Sequence, residues 1–243
     1  MRIIVRETPE QATETAENLF RAQLTKNPES VLGLATGSTP IPLYEALVRM
    51  KRDGLVDFSR LTGFNLDEYA GLGPDHPQSY SAFMRERLFS HIGARDEQWH
   101  IPNGKAPDPE AECERYEAAI EAAGGIDLQI LGIGRNGHIG FNEPADDFPA
   151  RTRLAELSED TLRANRRFFE PDEEIPGRAF TMGVGTIFRA KEILLMAFGQ
   201  EKADAVARAA FGKITPRLPA SILQLHPCAV FLLDREAASG LPR

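Results

Sequence analysis

The stretch Ile130-Leu-Gly-Ile-Gly-Arg-Asn-Gly-His-Ile-Gly-Phe-Asn-Glu-Pro144 begins in the last residues of an apolar run that predicts a buried strand over 126–131. Its four glycines allow tight turns and a close approach of the backbone to a ligand. Asn136, His138 and Glu143 stand among those glycines, so an acid/base group and two hydrogen-bonding partners follow the strand end. Open α/β sheets bind ligands beyond the carboxyl ends of their strands. The stretch therefore predicts a functional site.

The glycines at 132, 134 and 137 also match the Gly-x-Gly-x-x-Gly fingerprint of dinucleotide-binding proteins. That fingerprint requires a helix to begin at the third glycine, whereas His-Ile-Gly-Phe-Asn-Glu-Pro follows here, which is a poor helix start. A second alternative is a glycine-rich turn with an incidental histidine. Three functional side chains close together favour a site over both alternatives.

The composition bounds the class of protein. A chain of 243 residues with 42% hydrophobic residues predicts a single domain spanning 1–243. A net charge of -8 and the lack of a basic cluster argue against a nucleic-acid partner. No apolar run approaches the length of a membrane span. Cys113 and Cys228 lack the spacing of a metal or disulfide site, so we expect a cytoplasmic location.

Apolar runs alternate with helical patterns along the whole chain, which predicts an α/β fold with a mostly parallel open sheet and helices on both faces. Strands are predicted at 3–5, 31–34, 61–64, 97–101, 126–131, 178–182, 192–198 and 229–233. Helices are predicted at 8–26, 41–52, 79–90, 107–123, 200–211 and 219–225. We expect the tail after Asp234 to fray.

A polar loop, 36–39, lies between the predicted strand 31–34 and the predicted helix 41–52. Thr36, Gly37, Ser38 and Thr39 bring a glycine and three hydroxyls to a helix N-terminus, where exposed N–H groups and the helix dipole favour anions. No Gly-Lys-Ser/Thr follows, so the loop is not a Walker A motif. Two interpretations stay open: a phosphate site, or a helix cap without a ligand.

Two further segments carry charged groups near predicted strand ends. Asp67 and Glu68 follow the strand 61–64, and adjacent side chains there point in different directions, so one is expected to face a pocket while the other makes a structural contact. The segment 150–176 is polar and rich in arginine. It is either a solvated connection or a mobile lid that brings a guanidinium to an anionic ligand.

Several motifs resemble those of glucosamine-6-phosphate deaminases, in order and over nearly the whole chain. They are Leu34-Ala-Thr-Gly-Ser-Thr-Pro40, Phe64-Asn-Leu-Asp-Glu-Tyr69, His76-Pro-Gln-Ser-Tyr80, Gly137-His-Ile-Gly-Phe-Asn-Glu-Pro144, Arg163-Ala-Asn-Arg-Arg-Phe-Phe169, Gln200-Glu-Lys-Ala203 and Leu223-Gln-Leu-His-Pro227. The resemblance implies a Rossmann-like α/β fold shared with ribose-5-phosphate isomerase and CoA-transferase relatives. It also implies conversion of glucosamine 6-phosphate and water to fructose 6-phosphate and ammonia, without a metal or organic cofactor.

The resemblance also implies residue roles. Asp67 would move a proton from C2 to C1, and His138 would open the pyranose ring, with Glu143 and Asn136 holding its imidazole. Aldose–ketose isomerisation does need a carboxylate of this kind, and ring opening needs a group that titrates near neutral pH. Family members carry Asp or Asn at position 136, and Asn removes a charge that would favour imidazolium.

For the phosphate, the resemblance implies the 36–39 loop, with Arg167 and Lys202 as cationic partners. Activated family members carry a lysine where this chain has Ala155, and they extend further at the C-terminus. We therefore expect little activation by N-acetylglucosamine 6-phosphate. We also expect a monomer rather than a homo-oligomer, with a small sugar phosphate as the partner.

Two rival functions are considered. A 6-phosphogluconolactonase has a similar Gly-x-Gly-x-x-Gly-His turn but continues toward Thr-Ala-Ser-Leu-Phe-Pro, unlike the Ile-Gly-Phe-Asn-Glu-Pro found here. A sugar-phosphate sensor would require a DNA-binding element, and the chain begins directly at its first predicted strand. The joint presence of Asp67, His138 and Glu143 favours turnover over sensing.

Overall fold

The fold is built on a seven-stranded, entirely parallel sheet with the order β1-β10-β9-β6-β2-β3-β5. The structure is a computed structural model that describes residues 1–166, 169–171 and 173–242, and of Ala164 only the backbone. The strands are β1 (Arg2–Arg6), β2 (Val31–Leu34), β3 (Thr62–Asn65), β4 (Asp67–Tyr69), β5 (Trp99–His100), β6 (Leu128–Leu131), β7 (Arg153–Glu156), β8 (Arg178–Thr181), β9 (Glu192–Ala197) and β10 (Ala229–Asp234).

Helices connect most of these strands, as the alternating pattern predicted. They are α1 (Pro9–Lys26), α2 (Ile41–Arg52), α3 (Tyr80–Met84), α4 (Ser90–Ile92), α5 (Pro109–Ala122), α6 (Glu159–Asn165), α7 (Val184–Phe188) and α8 (Ala203–Phe211). A π-helical turn joins α3 to α4, and short 3-10 helices cover Gln200–Lys202 and Pro219–Leu225. The predicted α/β fold class is confirmed.

The central strands are apolar because both of their faces are covered. All four residues of β2 and all four of β6 are buried, and a single large core extends from α1 to the residues after β10. From the central β2–β6 pair, the sheet extends through β3 to β5 on one side and through β9 and β10 to β1 on the other. Loops that follow these two strands therefore open a crevice at a topological switch point.

A second sheet was not predicted. β4, β8 and β7 form an antiparallel sheet in which Asp67 pairs with Thr181. A small apolar cluster of its own, which includes Tyr69, Phe141 and Phe169, packs against this sheet. β4 is the short polar sequence Asp-Glu-Tyr and β7 is Arg-Leu-Ala-Glu, so neither has the apolar run that marks the central strands.

The prediction that the tail frays after Asp234 was wrong. Asp234 is buried, and its carboxylate accepts hydrogen bonds from the backbone N–H groups of Gly199 and Ala237 at 2.8–3.1 Å. Ala237 is itself fully buried in the main core. None of the helices in the described part of the chain has both the length and the apolar character needed to cross a membrane.

Candidate active site

Asp67 and Glu68 lie side by side on β4 but in different environments. Asp67 is only 5% exposed. Burial raises its pKa to about 8, and the neighbouring charge of Glu68 adds to the effect. Among the described residues, no group donates a hydrogen bond to the Asp67 carboxylate. Within the part of the chain that the structure describes, Asp67 is thus a buried carboxyl group without a hydrogen-bond donor to stabilise its charge.

Glu68 is the structural member of the pair, as predicted for one of the two. Its carboxylate accepts hydrogen bonds from the backbone N–H groups of Tyr69, Tyr80 and Ser81, each at 2.9 Å. Two of these donors belong to the first turn of α3, whose N–H groups have no partner within the helix. Glu68 therefore ties β4 to the start of α3.

The glycine-rich loop after β6 is shaped by its glycines. Gly137 has a φ of +87°, a conformation that side chains disfavour, and its carbonyl accepts from the backbone N–H of Ala220 at 2.9 Å. A Cβ at Gly134 would lie 2.2 Å from Cε1 of His138. The loop backbone therefore packs directly against the imidazole, and a larger residue at Gly134 would displace the ring.

Asn136, His138 and Glu143 are brought together as the sequence predicted. Asn136 donates from Nδ2 to Oε2 of Glu143 at 2.7 Å, and its Oδ1 accepts the backbone N–H of His138 at 3.1 Å. His138 Nδ1 lies 3.5 Å from Glu143 Oε2, which is longer than a good hydrogen bond. Catalytic contacts commonly tighten only when substrate binds.

Two hydroxyl groups that sequence reasoning missed complete the surroundings of Glu143. Its Oε1 accepts from Ser158 Oγ at 3.2 Å and from Thr161 Oγ1 at 2.5 Å, both at the start of α6. Burial opposes ionisation of Glu143, but the nearby His138 ring and the hydrogen bonds from Thr161 and Asn136 outweigh it and lower the pKa of Glu143 to about 2. Ser158 and Thr161 match a helix-capping pattern in sequence, which says nothing of a contact with Glu143.

Gly140 joins the two halves of the site. A Cβ at this position would lie 3.5 Å from Oδ2 of Asp67 and 3.0 Å from Oγ1 of Thr181. The next residue, Phe141, donates its backbone N–H to Thr181 Oγ1 at 3.1 Å. The loop that carries His138 is therefore fastened to β8 and lies directly against the Asp67 carboxyl group.

The predicted phosphate loop follows β2 at the same edge of the sheet. Gly37 and Ser38 are exposed, Thr36 and Thr39 are half-buried, and Gly37 has a φ of +99°. The backbone N–H groups of residues 37–39 donate to no residue that the structure describes. The Tyr44 hydroxyl, in the first turn of α2, bonds both backbone groups of Ala35 and so fixes the loop at its start.

Lys202 lies beside the loop that follows β6. Its Nζ donates to the backbone carbonyl of Ile133 at 2.9 Å, which holds it at the loop after β6. Burial lowers the pKa of Lys202, and Arg135 acts in the same direction while Glu201 opposes it. The other predicted cation, Arg167, lies outside the described residues.

The segment 150–176 contains more structure than a plain connection. It contributes β7 and α6, and the Glu173 carboxylate lies 2.9 Å from Nε2 of His76. Phe169 packs edge-on against Tyr69 at 5.8 Å between ring centroids. The described part of the segment thus covers the Glu143 side of the crevice, and its role as a lid stays a prediction. Across 1–166, 169–171 and 173–242, no group of three or more His, Cys, Asp or Glu side chains is placed to hold a metal.

The chain is similar to known proteins along nearly its whole length. A family model described as glucosamine-6-phosphate isomerases/6-phosphogluconolactonase matches residues 6–231. A curated glucosamine-6-phosphate deaminase from Thermoanaerobacter pseudethanolicus is 50% identical over 242 residues, covering 100% of this chain and 96% of that protein.

Solved structures show the same fold. The structure of a monomeric glucosamine-6-phosphate deaminase superposes with a TM-score of 0.95 at 44% identity, over 99% of this chain and 100% of the other. A 6-phosphogluconolactonase from Trypanosoma cruzi superposes with a TM-score of 0.79 at 20% identity, over 100% of this chain and 97% of that one. At this lower identity the likeness extends to the fold alone.

Proposed function

The chain belongs to the family of glucosamine-6-phosphate isomerases and 6-phosphogluconolactonases, and we propose that within this family it converts glucosamine 6-phosphate and water to fructose 6-phosphate and ammonia. The curated relative that is 50% identical along the whole chain carries the name of that activity. This reaction combines an aldose–ketose isomerisation with the loss of the amino group.

One observation carries the proposal. Asp67 is a buried carboxyl group without a hydrogen-bond donor among the described residues, and it lies against the loop that holds His138 and Glu143. A carboxylate in this state is a stronger base than one in water, because burial destabilises its charged form. It can accept a proton from carbon more readily than a solvated aspartate can.

Asp67 is the proposed isomerisation base. It takes the proton from C2 of the ring-opened amino sugar and delivers it to C1, so the double bond moves and an imine forms at C2. Water then adds to that imine, and ammonia leaves as fructose 6-phosphate forms. A pKa of about 8 suits a group that must both take and return a proton near neutral pH.

His138 is the proposed ring-opening group. A neutral imidazole that donates from Nδ1 toward Glu143 keeps Nε2 free to exchange a proton with the sugar. Glu143 sets this orientation through its 3.5 Å contact with Nδ1, and Asn136 holds Glu143 at 2.7 Å. The side-chain amide of Asn136 donates a hydrogen bond to the Glu143 carboxylate. An aspartate at position 136 could donate such a bond only when protonated.

The substrate phosphate is assigned to the N–H groups and hydroxyls of Thr36, Gly37, Ser38 and Thr39. These groups follow β2 and precede the twelve-residue helix α2, so the helix dipole favours an anion there. Lys202, held by Ile133 on the neighbouring loop, and Arg167, on the sequence motif alone, are the proposed cationic partners. We also propose that the chain acts as a monomer. The solved deaminase structure that superposes on 99% of this chain is that of a monomeric enzyme.

The test is to incubate the purified protein with glucosamine 6-phosphate in EDTA and to measure ammonia and fructose 6-phosphate. We expect equal amounts of both from the wild type. Hydrolysis of 6-phosphogluconolactone without ammonia release would assign the lactonase activity instead. Binding of the sugar phosphate, seen as a raised melting temperature without turnover, would favour a sensor.

A further inference from the structure

Glu143 is surrounded by hydrogen-bond donors. Asn136 Nδ2 approaches its Oε2, while Ser158 Oγ and Thr161 Oγ1 approach its Oε1. Donors at both oxygens favour the ionised form, because a protonated carboxyl group would turn an O–H toward one of them, and the low pKa of Glu143 agrees with this arrangement. With Oε1 occupied by the two hydroxyls, the carboxylate can rotate little, and Oε2 is left to face His138.

The hydroxyls belong to a segment separate from the catalytic loop. Ser158 is the N-cap of α6 and also accepts the backbone N–H of Thr161 at 3.2 Å, whereas the Thr161 side chain makes its described bonds to Glu143 and to Ser158. Replacing Ser158 would thus weaken the helix as well as the contact with Glu143. Thr161 is the cleaner probe of the contact.

We propose that Thr161, assisted by Ser158, is a positioning residue that aims the Glu143 carboxylate at Nδ1 of His138 and thereby couples the seating of α6 to the acid–base pair. The inference rests on the proposed function. When α6 is seated, Glu143 is ionised and oriented, His138 carries its proton on Nδ1, and Nε2 faces the substrate. When α6 is displaced, Oε1 loses two donors and the imidazole loses its fixed partner.

A second hydrogen bond from a threonine hydroxyl to a glutamate occurs elsewhere in the protein, away from the candidate site. Glu117, on α5, accepts a hydrogen bond from Thr186 Oγ1 at 2.5 Å, together with the backbone N–H and hydroxyl of Thr152. That group ties α5 to α7 within the main body of the fold. Thr186→Val therefore removes an equally short hydroxyl–carboxylate bond that does not touch the site.

The experiment compares Thr161→Val, Thr161→Ser and Thr186→Val with the wild type in the ammonia-release assay, below the melting temperature of every variant. We expect Thr161→Val to lower kcat by about 10-fold or more, as is typical when a partner that orients a catalytic group is lost. KM should stay within about twofold of the wild type, because Glu143 acts through His138 rather than on the bound substrate.

The pH profile and the conservative variant add independent readouts. His138 is the ionisable side chain that faces Glu143, and the other contributions to the Glu143 pKa come from burial and from Thr161 and Asn136. Loss of the hydroxyl raises the pKa of Glu143, so the acid limb of kcat should move to higher pH in Thr161→Val. Thr161→Ser keeps the donor and should restore most of kcat, and Thr186→Val should lower the melting temperature while leaving kcat unchanged.

An unchanged kcat in Thr161→Val, or an equal loss in Thr186→Val, would overturn the inference. Failure of the proposed function is distinguishable, since the wild type itself would then release no ammonia. In that case the ¹⁵N chemical shifts of the His138 ring, compared between wild type and Thr161→Val, still test the positioning role of Thr161. A shifted tautomer equilibrium supports the positioning role, and identical shifts reject it.

Discussion

The two faces of β4 carry neighbouring carboxyl groups with opposite surroundings. Glu68 is 2% exposed and accepts three backbone hydrogen bonds at the start of α3. Asp67 is 5% exposed and has no described donor, although Gly140 and Thr181 lie close to it. Burial is nearly the same for both groups, so they differ in the hydrogen-bond donors that surround each carboxylate.

This difference separates a structural acid from the proposed catalytic base. A buried carboxylate that is met by backbone N–H groups is held in place and does its work in the fold. A buried carboxylate without donors destabilises the fold in its charged form, and such groups persist where their chemistry is used. Four measurements can test this difference.

Asp67→Asn should abolish most turnover, because an amide cannot take a proton from carbon. We expect kcat for ammonia release to fall by about 10³-fold, in the range of general-base catalysis, with the protein still folded. Thermal unfolding followed by circular dichroism provides the control for folding. A mutant that retains a tenth of the activity would contradict the role of Asp67 as the base.

The stability of the wild type should fall with rising pH through Asp67. Its pKa is raised from 3.8 to about 8 on folding, so its contribution is complete below pH 4 and is lost as pH rises toward 8. Asp67→Asn lacks this loss. Its advantage over the wild type in free energy of unfolding should therefore grow by about 3 kcal/mol between pH 5 and pH 8.

Urea unfolding of both proteins at the two pH values measures this difference, and titrating groups that do not interact with Asp67 cancel in the comparison. An advantage that does not change with pH would mean that Asp67 is ionised without penalty in the folded protein.

Glu68→Gln should leave the chemistry largely intact but weaken the fold. The amide nitrogen would face backbone N–H donors on α3, and at least one of them would lose its acceptor. We expect a loss of about 2 kcal/mol in the free energy of unfolding at pH 7, measured with urea. If kcat fell as far as in Asp67→Asn, the division between the two faces of β4 would be wrong.

Lys202 extends the comparison to cations. It is held by one backbone carbonyl and forms no salt bridge with any described carboxylate, whereas Lys191 pairs with Asp127 at 2.6 Å. Lys202→Met should raise KM for glucosamine 6-phosphate by about 10-fold, the effect of one lost charge contact to phosphate. Lys191→Met serves as the matched control and should leave KM unchanged in the same assay.

Much of the main sheet could be predicted because its signals are local. The apolar runs that became β2, β6, β9 and β10 are short, buried and followed by turn residues, and helical patterns separate them. The resemblance to deaminases then brought Asp67 and His138 into one site although they are far apart in sequence.

The parts that could not be predicted depend on contacts between distant polar residues. β4 and β7 are strands only because β8 lies between them, and their sequences carry no apolar run. Thr161 donates a hydrogen bond to Glu143, but the two residues lie in separate segments and no sequence periodicity links them. A hydroxyl that only caps a helix and one that also bonds to a distant carboxylate have the same sequence signature, so only the fold distinguishes them.

The position of β1 at the edge of the main sheet has a consequence for folding. Among the described strands β1 pairs with β10 alone, with Arg2 opposite Val230, so this edge of the sheet joins two segments that are very far apart in sequence. Contacts of such high sequence separation form late and slow the folding reaction. We therefore expect the pairing of β1 with β10 to be one of the slower contacts to form as the sheet folds.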